Sequence, residues 1–174
     1  MLWMLSTINK ANFFCVDSPG ETGKTFMYRT LIANLRSKGQ IVLATASSGI
    51  DTTLLPDDWN AHFLFKVLIN IETHSFYSIS KQCDLAKLIR ETITIIWDEA
   101  PMTNRYVLES LDRSLKYILD CYAPFRGKVM VLGGNFRQVL PAIKKGTKAQ
   151  MISECIIKSP LWAITKVLHL QQNM

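Results

Sequence analysis

The stretch that decides the fold lies near the start of the chain and reads Ser18-Pro19-Gly20-Glu21-Thr22-Gly23-Lys24-Thr25. It matches the phosphate-binding pattern GxxxxGK[ST] at every fixed position except the first, where Ser18 replaces glycine. An apolar run, Phe13 to Val16, precedes the stretch, and a helical pattern from Lys24 to about Lys38 follows it. Because N–H groups and the dipole at a helix start attract phosphate oxygens, this strand–loop–helix setting predicts a nucleotide phosphate site.

Single residues of this loop have separate expected roles. Lys24 would bring a full positive charge to the terminal phosphates, and the Thr25 hydroxyl could ligate Mg²⁺. The alternative is a glycine-containing turn before an ordinary amphipathic helix. Two departures from the pattern bear on the site: Ser18 would be strained if its φ were positive, and Glu21 adds a carboxylate to a loop built for anions.

The rest of the chain alternates short apolar runs with helical segments, which is typical of an α/β fold with a mostly parallel sheet. Strands are predicted at 13–16, 41–44, 93–97, 128–132 and near 166–170, and helices at 24–38, 85–91 and 106–119. Residues 56–82 give no clear pattern. We expect the strand before the phosphate loop to lie next to the strand that ends at Gly133.

Polar or glycine-rich segments follow these strands, and ligands of open α/β sheets bind at the carboxyl ends of strands. Asp98 and Glu99 end the third strand; Asp98 could anchor Mg²⁺, and Glu99 could orient or deprotonate water. The alternative is a solvated acidic turn. Gln138, in the Gly133 to Gln138 segment, could sense the γ-phosphate, although that segment could also be a simple turn.

Composition bounds the class of protein. The chain has 174 residues, fits one compact domain, and carries a net charge of +6, which suits a polyanionic partner or a merely basic surface. None of its four cysteines stands in a CxxC pair, so neither a zinc site nor a redox motif is indicated. The sequence contains no run of 18 apolar residues, so we expect no membrane-spanning helix.

Taken together, the motifs resemble those of the petite-integration-frequency (PIF-type) helicases, a branch of which forms the helicase part of Helitron transposons. The resemblance runs from about Phe13 to Met174 and rests on four segments: the phosphate loop, Ala46 to Ile50, Asp98 to Met102, and Gly133 to Gln138. It implies a RecA-like P-loop NTPase domain that uses ATP and Mg²⁺. It also implies 5′-to-3′ movement on single-stranded DNA in repair, recombination and telomere maintenance, in the nucleus.

The resemblance also assigns roles by motif. Pro19, Gly20, Glu21, Thr22, Gly23, Lys24 and Thr25 would bind nucleotide. Thr25 and Asp98 would hold the metal, and Glu99 and Gln138 would be catalytic. Ser47, Ser48, Gly49, His62 and Phe65 would contact DNA. For His62 and Phe65 the alternative is ordinary packing, and Asn60 stands where the family has threonine.

Other features limit the expected activity. Asn135 replaces the family's aspartate, and Asp51 stands where a small residue is usual. The family continues past the position of Met174 with an arginine that reaches the γ-phosphate and with a second motor domain. We therefore interpret residues 1–174 as the first of two motor domains. The rival interpretations are a non-catalytic remnant that binds nucleotide or DNA, and a small P-loop kinase, which would need an arginine-rich lid.

Overall fold

A computed structural model describes residues 12–19, 22–48, 55–56, 59–66, 77–136, 141 and 147–170. Its described strands form one parallel sheet in the order β3-β2-β4-β5-β1-β6. The strands are β1 (Phe13–Asp17), β2 (Ile41–Ala46), β3 (Trp59–Asn60), β4 (Thr92–Asp98), β5 (Val129–Gly134) and β6 (Lys166–His169). The parallel α/β fold is thus confirmed, and so is the pairing of the first strand with the strand that ends at the glycine pair.

Helices lie between the strands, as the sequence pattern predicts for α1, α3 and α4. Their bounds are α1 (Lys24–Ser37), α2 (Ala61–Leu64), α3 (Asp84–Glu91), α4 (Arg105–Leu119) and α5 (Lys148–Ser153). Short 3₁₀ turns cover Ala100–Met102, Pro124–Gly127, Ile156–Lys158 and Pro160–Ile164. Strand β3 and helix α2 fall in the part of the sequence that gave no clear pattern. No described helix has the length and apolarity needed to cross a lipid bilayer.

The sheet separates two apolar layers, because alternate residues of each strand point to opposite faces. On one face, Phe14 and Ile96 pack with α1. On the other face, Ile95 and Trp97 pack with α4. Burial of each such side chain contributes about 1.5–3 kcal/mol, so the two layers fix how the strands align.

The parallel strands bring their carboxyl ends to one edge of the sheet. Asp17 is in register with Gly134, and Ala46 is in register with Asp98. The phosphate loop, the acid pair and the segment after β5 therefore start from neighbouring points, as the positions of the motifs predicted.

Candidate functional site

The phosphate loop enters α1 through Gly23, whose φ of 80° is in the left-handed region. A residue with a Cβ is strained there, so this position needs glycine. The Thr22 hydroxyl donates to the Pro19 carbonyl at 2.9 Å, a hydrogen bond between two residues of the loop. Among the described residues, no side chain caps the start of α1. Its first N–H groups are thus available to an anion. Gly20 and Glu21 lie outside the described residues.

Ser18 does not carry the strain that a positive φ would have given it. In the part of the chain that the structure describes, the non-glycine residues with positive φ are Lys66, Glu99, Asp120 and Phe125. Ser18 instead continues the course of β1, and its N–H donates to the Gly134 carbonyl at 3.2 Å. Serine is therefore compatible with the backbone at this position. Its hydroxyl is buried without a hydrogen-bond partner among the described residues.

Lys24, the first residue of α1, forms ion pairs with both members of the acid pair. Its Nζ lies 2.9 Å from Asp98 Oδ1 and also binds Glu99 Oε1. Burial alone would lower the pKa of Lys24, but the charges and hydrogen bonds of Asp98 and Glu99 together raise it above its ordinary value. The lysine is therefore held charged against two carboxylates at the mouth of the phosphate loop.

The acid pair owes its shape to a sharp turn at the end of β4. Asp98 is the last residue of the strand and is buried. Glu99 has a left-handed backbone with φ of 51°, and its N–H donates to Asp98 Oδ1 at 2.9 Å. A non-glycine residue held in this region costs about 1–3 kcal/mol, and such residues cluster at functional sites. The turn brings both carboxylates to the same ammonium group.

The glycine pair at the end of β5 lets the acid pair and α1 approach the sheet closely. A Cβ on Gly133 would lie 1.7 Å from Tyr28 Oη and 2.8 Å from Asp98 Oδ1. A Cβ on Gly134 would lie 2.5 Å from Pro101 Cδ, and the φ of Gly134 is 144°. Both positions therefore have no room for a side chain.

Tyr28 is a part of this site that sequence reasoning missed. It is 0% exposed, and its hydroxyl has no hydrogen-bond partner among the described residues. Burial, followed by the charges of Asp98 and Glu99, raises the pKa of Tyr28 well above its ordinary value. The available signal was its position: one helical turn after Lys24, on the same face as Leu31 and Ile32.

The donors at this edge fit Mg²⁺ held jointly with a nucleotide. The described residues contain no cluster of three or more His, Cys, Asp or Glu side chains that could hold a metal alone. Asp98 and Thr25 offer a carboxylate and a hydroxyl, and the ammonium of Lys24 shows that the acid pair accommodates a cation. Mg²⁺ usually takes one or two carboxylates and completes its shell with water and phosphate oxygens.

Ser47, the first of the expected DNA-contacting residues, lies beside the acid pair. The Ser47 N–H donates to the Asp98 carbonyl at 3.0 Å, and Ser47 Oγ accepts from Trp97 Nε1 at 2.9 Å. Asn60 Nδ2 donates to the Ser47 carbonyl at 3.4 Å. The loop that follows β2 is thus joined to the end of β4 and to β3. Ser48 is half-buried, and Gly49 lies outside the described residues.

His62 and Phe65 have different surroundings. His62 is exposed, and its N–H donates to Asn60 Oδ1 at 2.9 Å. Asn60 thereby caps α2 as a threonine could, which accounts for the substitution. Phe65 is 0% exposed, and its ring centroid lies 6.0 Å from that of Trp97. Phe65 is therefore a packing residue, as the alternative held, and the expected DNA contact does not fit its side chain, which has no exposed surface.

Two exposed aromatic side chains near His62 were not predicted. Phe63 is 84% exposed and Trp59 is 45% exposed. The signal in the sequence was a group of three aromatic residues between positions 59 and 65. Only a structure shows which of these three side chains point outward. Gln138 lies outside the described residues, so its expected place at the γ-phosphate stays a prediction.

A phosphate loop after β1, with an acid pair at the end of β4 and one strand, β5, between them, defines a RecA-like P-loop NTPase domain. A family model described as PIF1-like helicase matches residues 4–174, and the chain therefore belongs to the PIF1-like helicase family. This membership excludes the small-kinase interpretation.

Two relatives and one solved structure illustrate the similarity. The chain is 30% identical to the ATP-dependent DNA helicase RRM3 of Saccharomyces cerevisiae over 176 residues, which cover 94% of this chain and 24% of that protein. It is 27% identical to the ATP-dependent DNA helicase Pif1 of a Psychrobacter species, covering 78% of this chain and 20% of that protein. The chain thus spans about a quarter or less of these relatives.

The crystal structure of a Bacteroides Pif1 helicase with ADP-AlF3 and single-stranded DNA has the same fold. It superposes with a TM-score of 0.83 at 19% identity, over 99% of this chain and 41% of that chain. At this identity the likeness establishes the fold.

Proposed function

We propose that the chain binds Mg²⁺-ATP at the carboxyl edge of its sheet and serves as the first motor domain of a 5′-to-3′ DNA helicase. The observation that carries this proposal is the position of Lys24 between Asp98 and Glu99, directly at the phosphate loop. ATP hydrolysis needs a phosphate-binding cation, a metal-anchoring carboxylate and a base. Lys24, Asp98 and Glu99 could supply these three groups, and the lysine is in direct contact with both acids.

Nucleotide binding would exchange the partners of Lys24. The terminal phosphates would take its ammonium group, which frees Asp98 and Glu99. Asp98 and Thr25 would then hold Mg²⁺, which neutralises charge on the phosphates when bound. Glu99 would orient the attacking water and accept its proton, and Gln138 would contact the γ-phosphate.

The DNA strand would lie along the ends of β2 and β3. Ser47, Ser48 and Gly49 would give hydroxyl and backbone contacts to phosphates, which position a strand without reading its sequence. His62 is joined to Asn60, which donates to the Ser47 carbonyl, and the exposed rings of Phe63 and Trp59 are suited to stacking on bases. Support comes from the Bacteroides Pif1 structure, which holds both a nucleotide analogue and single-stranded DNA. The hydrogen bond from Ser47 to the Asp98 carbonyl would link this strand to the acid pair.

On this proposal the chain is one part of a larger motor. The share of the relatives that it spans, 24% of RRM3 and 41% of the Bacteroides chain, leaves room for a second motor domain and for the arginine that completes the site. An arginine finger contributes several powers of ten in rate, so turnover by this part alone would be slow. Roles in nuclear repair, recombination and telomere maintenance belong to the whole protein.

A non-catalytic remnant is the second candidate, and Asn135 favours it. This residue stands directly after β5, next to the glycine pair, where the family pattern has an aspartate. The amide keeps an acceptor oxygen but removes a negative charge close to the expected metal. A remnant would bind nucleotide or DNA without hydrolysis that DNA stimulates.

Titration calorimetry of the purified chain with Mg²⁺-ATP tests the proposal. We expect Lys24→Ala to weaken binding at least tenfold, about 1.4 kcal/mol. Lys38→Ala is the matched control, because Lys38 is exposed at the other end of α1 and should leave binding unchanged. Equal affinities for wild type and Lys24→Ala would refute the site. Stimulation of hydrolysis by single-stranded DNA separates the motor from the remnant.

A further inference from the structure

The Asp17 side chain joins segments that the proposed reaction does not otherwise connect. Asp17 is the last residue of β1 and is 8% exposed. Its Oδ1 accepts from the Phe136 N–H at 3.1 Å, and its Oδ2 lies 3.2 Å from His169 Nδ1. Its backbone carbonyl accepts from the Leu170 N–H at 3.1 Å. One residue therefore contacts the chain where it leaves β5 and where it leaves β6.

The location of Asp17 makes these contacts consequential. β1 lies between β5 and β6 in the sheet, and Asp17 is in register with both Gly134 and His169. The next residue, Ser18, opens the phosphate loop and is itself bonded to the Gly134 carbonyl. A movement of the phosphate loop would thus act on both exit points through one side chain.

A carboxylate at this position needs a reason, since it stands beside a loop built for anions. A buried carboxylate without partners is strongly unfavourable, whereas charge-assisted bonds to N–H groups are about twice as strong as neutral ones. A smaller or apolar residue would avoid the negative charge but could not reach Phe136 and His169 together. The hydrogen bond from Phe136 and the contact with His169 are among the interactions that the carboxylate adds.

We propose that Asp17 is a positioning residue that fixes the segments leaving β5 and β6 relative to the phosphate loop. The inference deepens the proposed function and rests on it for its nucleotide readout. Phe136 stands two positions before Gln138 in the sequence, and Leu170 begins the path by which the chain leaves the sheet. Asp17 would therefore set the starting point of both segments.

Amide hydrogen exchange, followed by NMR on the nucleotide-free chain, tests the contact directly. In Asp17→Ala we expect the Phe136 amide to exchange at least tenfold faster, with the amides of α4 unchanged. Asp17→Asn keeps an acceptor oxygen for Phe136 and should stay within threefold of wild type. His169→Ala is the matched control, because it removes the contact at Oδ2 and should leave the Phe136 amide within threefold of wild type. If Asp17→Ala does not fold, Asp17→Thr gives the same comparison with a residue suited to a strand.

Calorimetry adds a readout that general loosening would not move. The ratio of Mg²⁺-ATP to Mg²⁺-ADP affinity should fall at least threefold in Asp17→Ala and stay within twofold in Asp17→Asn. Unchanged Phe136 exchange or an unchanged affinity ratio in Asp17→Ala overturns the inference, as does an Asp17→Asn variant that behaves like the alanine. If the wild-type chain binds no nucleotide, the proposed function fails, whereas the exchange rates still decide on Asp17.

Discussion

The hydroxyl of Tyr28 occupies the space that a side chain at Gly133 would need. A Cβ at that glycine would lie only 1.7 Å from Tyr28 Oη, and the tyrosine ring is enclosed on all sides. The phosphate-loop helix and the strand that ends in the glycine pair are thus fitted to each other at one atom. This contact lies next to Asp98, so it also sets how closely the acid pair approaches α1.

Gly133→Ala should therefore destabilise the chain through overpacking. We expect a loss of about 1–3 kcal/mol in the free energy of unfolding, measured by urea denaturation. Tyr28→Phe combined with Gly133→Ala should recover part of that loss, because the nearest clashing atom is gone. Tyr28→Phe alone should change stability by less than about 1 kcal/mol, since no described residue bonds to the hydroxyl. A larger loss for that single variant would reveal a partner of the hydroxyl.

Glu99→Gln should separate binding from chemistry. The variant removes one of the two carboxylates that compete with ATP for Lys24, so we expect Mg²⁺-ATP to bind at least as tightly as to wild type. Hydrolysis should fall by about 10²-fold or more, because the general base is lost. Calorimetry and a phosphate-release assay measure the two effects. Glu91→Gln, at the exposed end of α3, serves as the control. Unchanged hydrolysis in Glu99→Gln would assign the base to another residue.

Phe63→Ala and Phe65→Ala should have opposite consequences. Stacking of a base on an exposed ring contributes about 1–3 kcal/mol, so Phe63→Ala should weaken binding of a labelled oligothymidine by roughly 5- to 150-fold. Its stability should be nearly unchanged. Phe65→Ala should cost about 3–5 kcal/mol of stability, because its ring is enclosed by Trp97 and Tyr77.

Fluorescence anisotropy and thermal unfolding distinguish these two outcomes. Tyr122→Ala is the matched control for exposure, since Tyr122 is 94% exposed but follows the far end of α4. DNA affinity that is unaffected by Phe63→Ala, or equally reduced by Tyr122→Ala, would argue against a stacking surface on α2.

Ser18→Gly should be less stable than Ser18→Ala, although glycine restores the family pattern. The backbone of Ser18 has no positive φ to relieve, and glycine at the end of a strand loses more conformational freedom on folding. We expect a loss of about 0.5–1 kcal/mol relative to Ser18→Ala, measured by urea denaturation. A Ser18→Gly variant more stable than Ser18→Ala would mean that the loop adopts a different backbone in solution.

The features that the sequence predicted well are those encoded locally. The phosphate-loop pattern predicts a strand before the loop and a helix after it. Apolar runs that end in Asp98 or in the glycine pair predict where two further strands end. Parallel pairing then brings these ends together, whatever the details of packing.

The features that it did not predict depend on which way a side chain points. The spacing of Phe63 and Phe65 does not predict which of the two rings faces the core, because the helix that holds Phe63 has only four residues and ends just before Phe65. Tyr28 has an ordinary helical position, and only the absence of a Cβ at Gly133, on a distant strand, gives its hydroxyl a place. The conformation of Ser18 likewise depends on its hydrogen bond to Gly134. No sequence pattern in the loop predicts that bond.

The pairing of Lys24 with two carboxylates means that the acid pair has a counter-ion within the protein itself. Two adjacent carboxylates repel each other, and here the ammonium group offsets one of their two negative charges. Removal of metal ions with a chelator should consequently leave the nucleotide-free domain folded. Without nucleotide, Lys24 offsets the charge of the acids, whereas in the proposed complex Mg²⁺ would do so. The measured affinity for ATP then depends on the free-energy difference between these two states, and a change at either acid can alter that affinity in either direction.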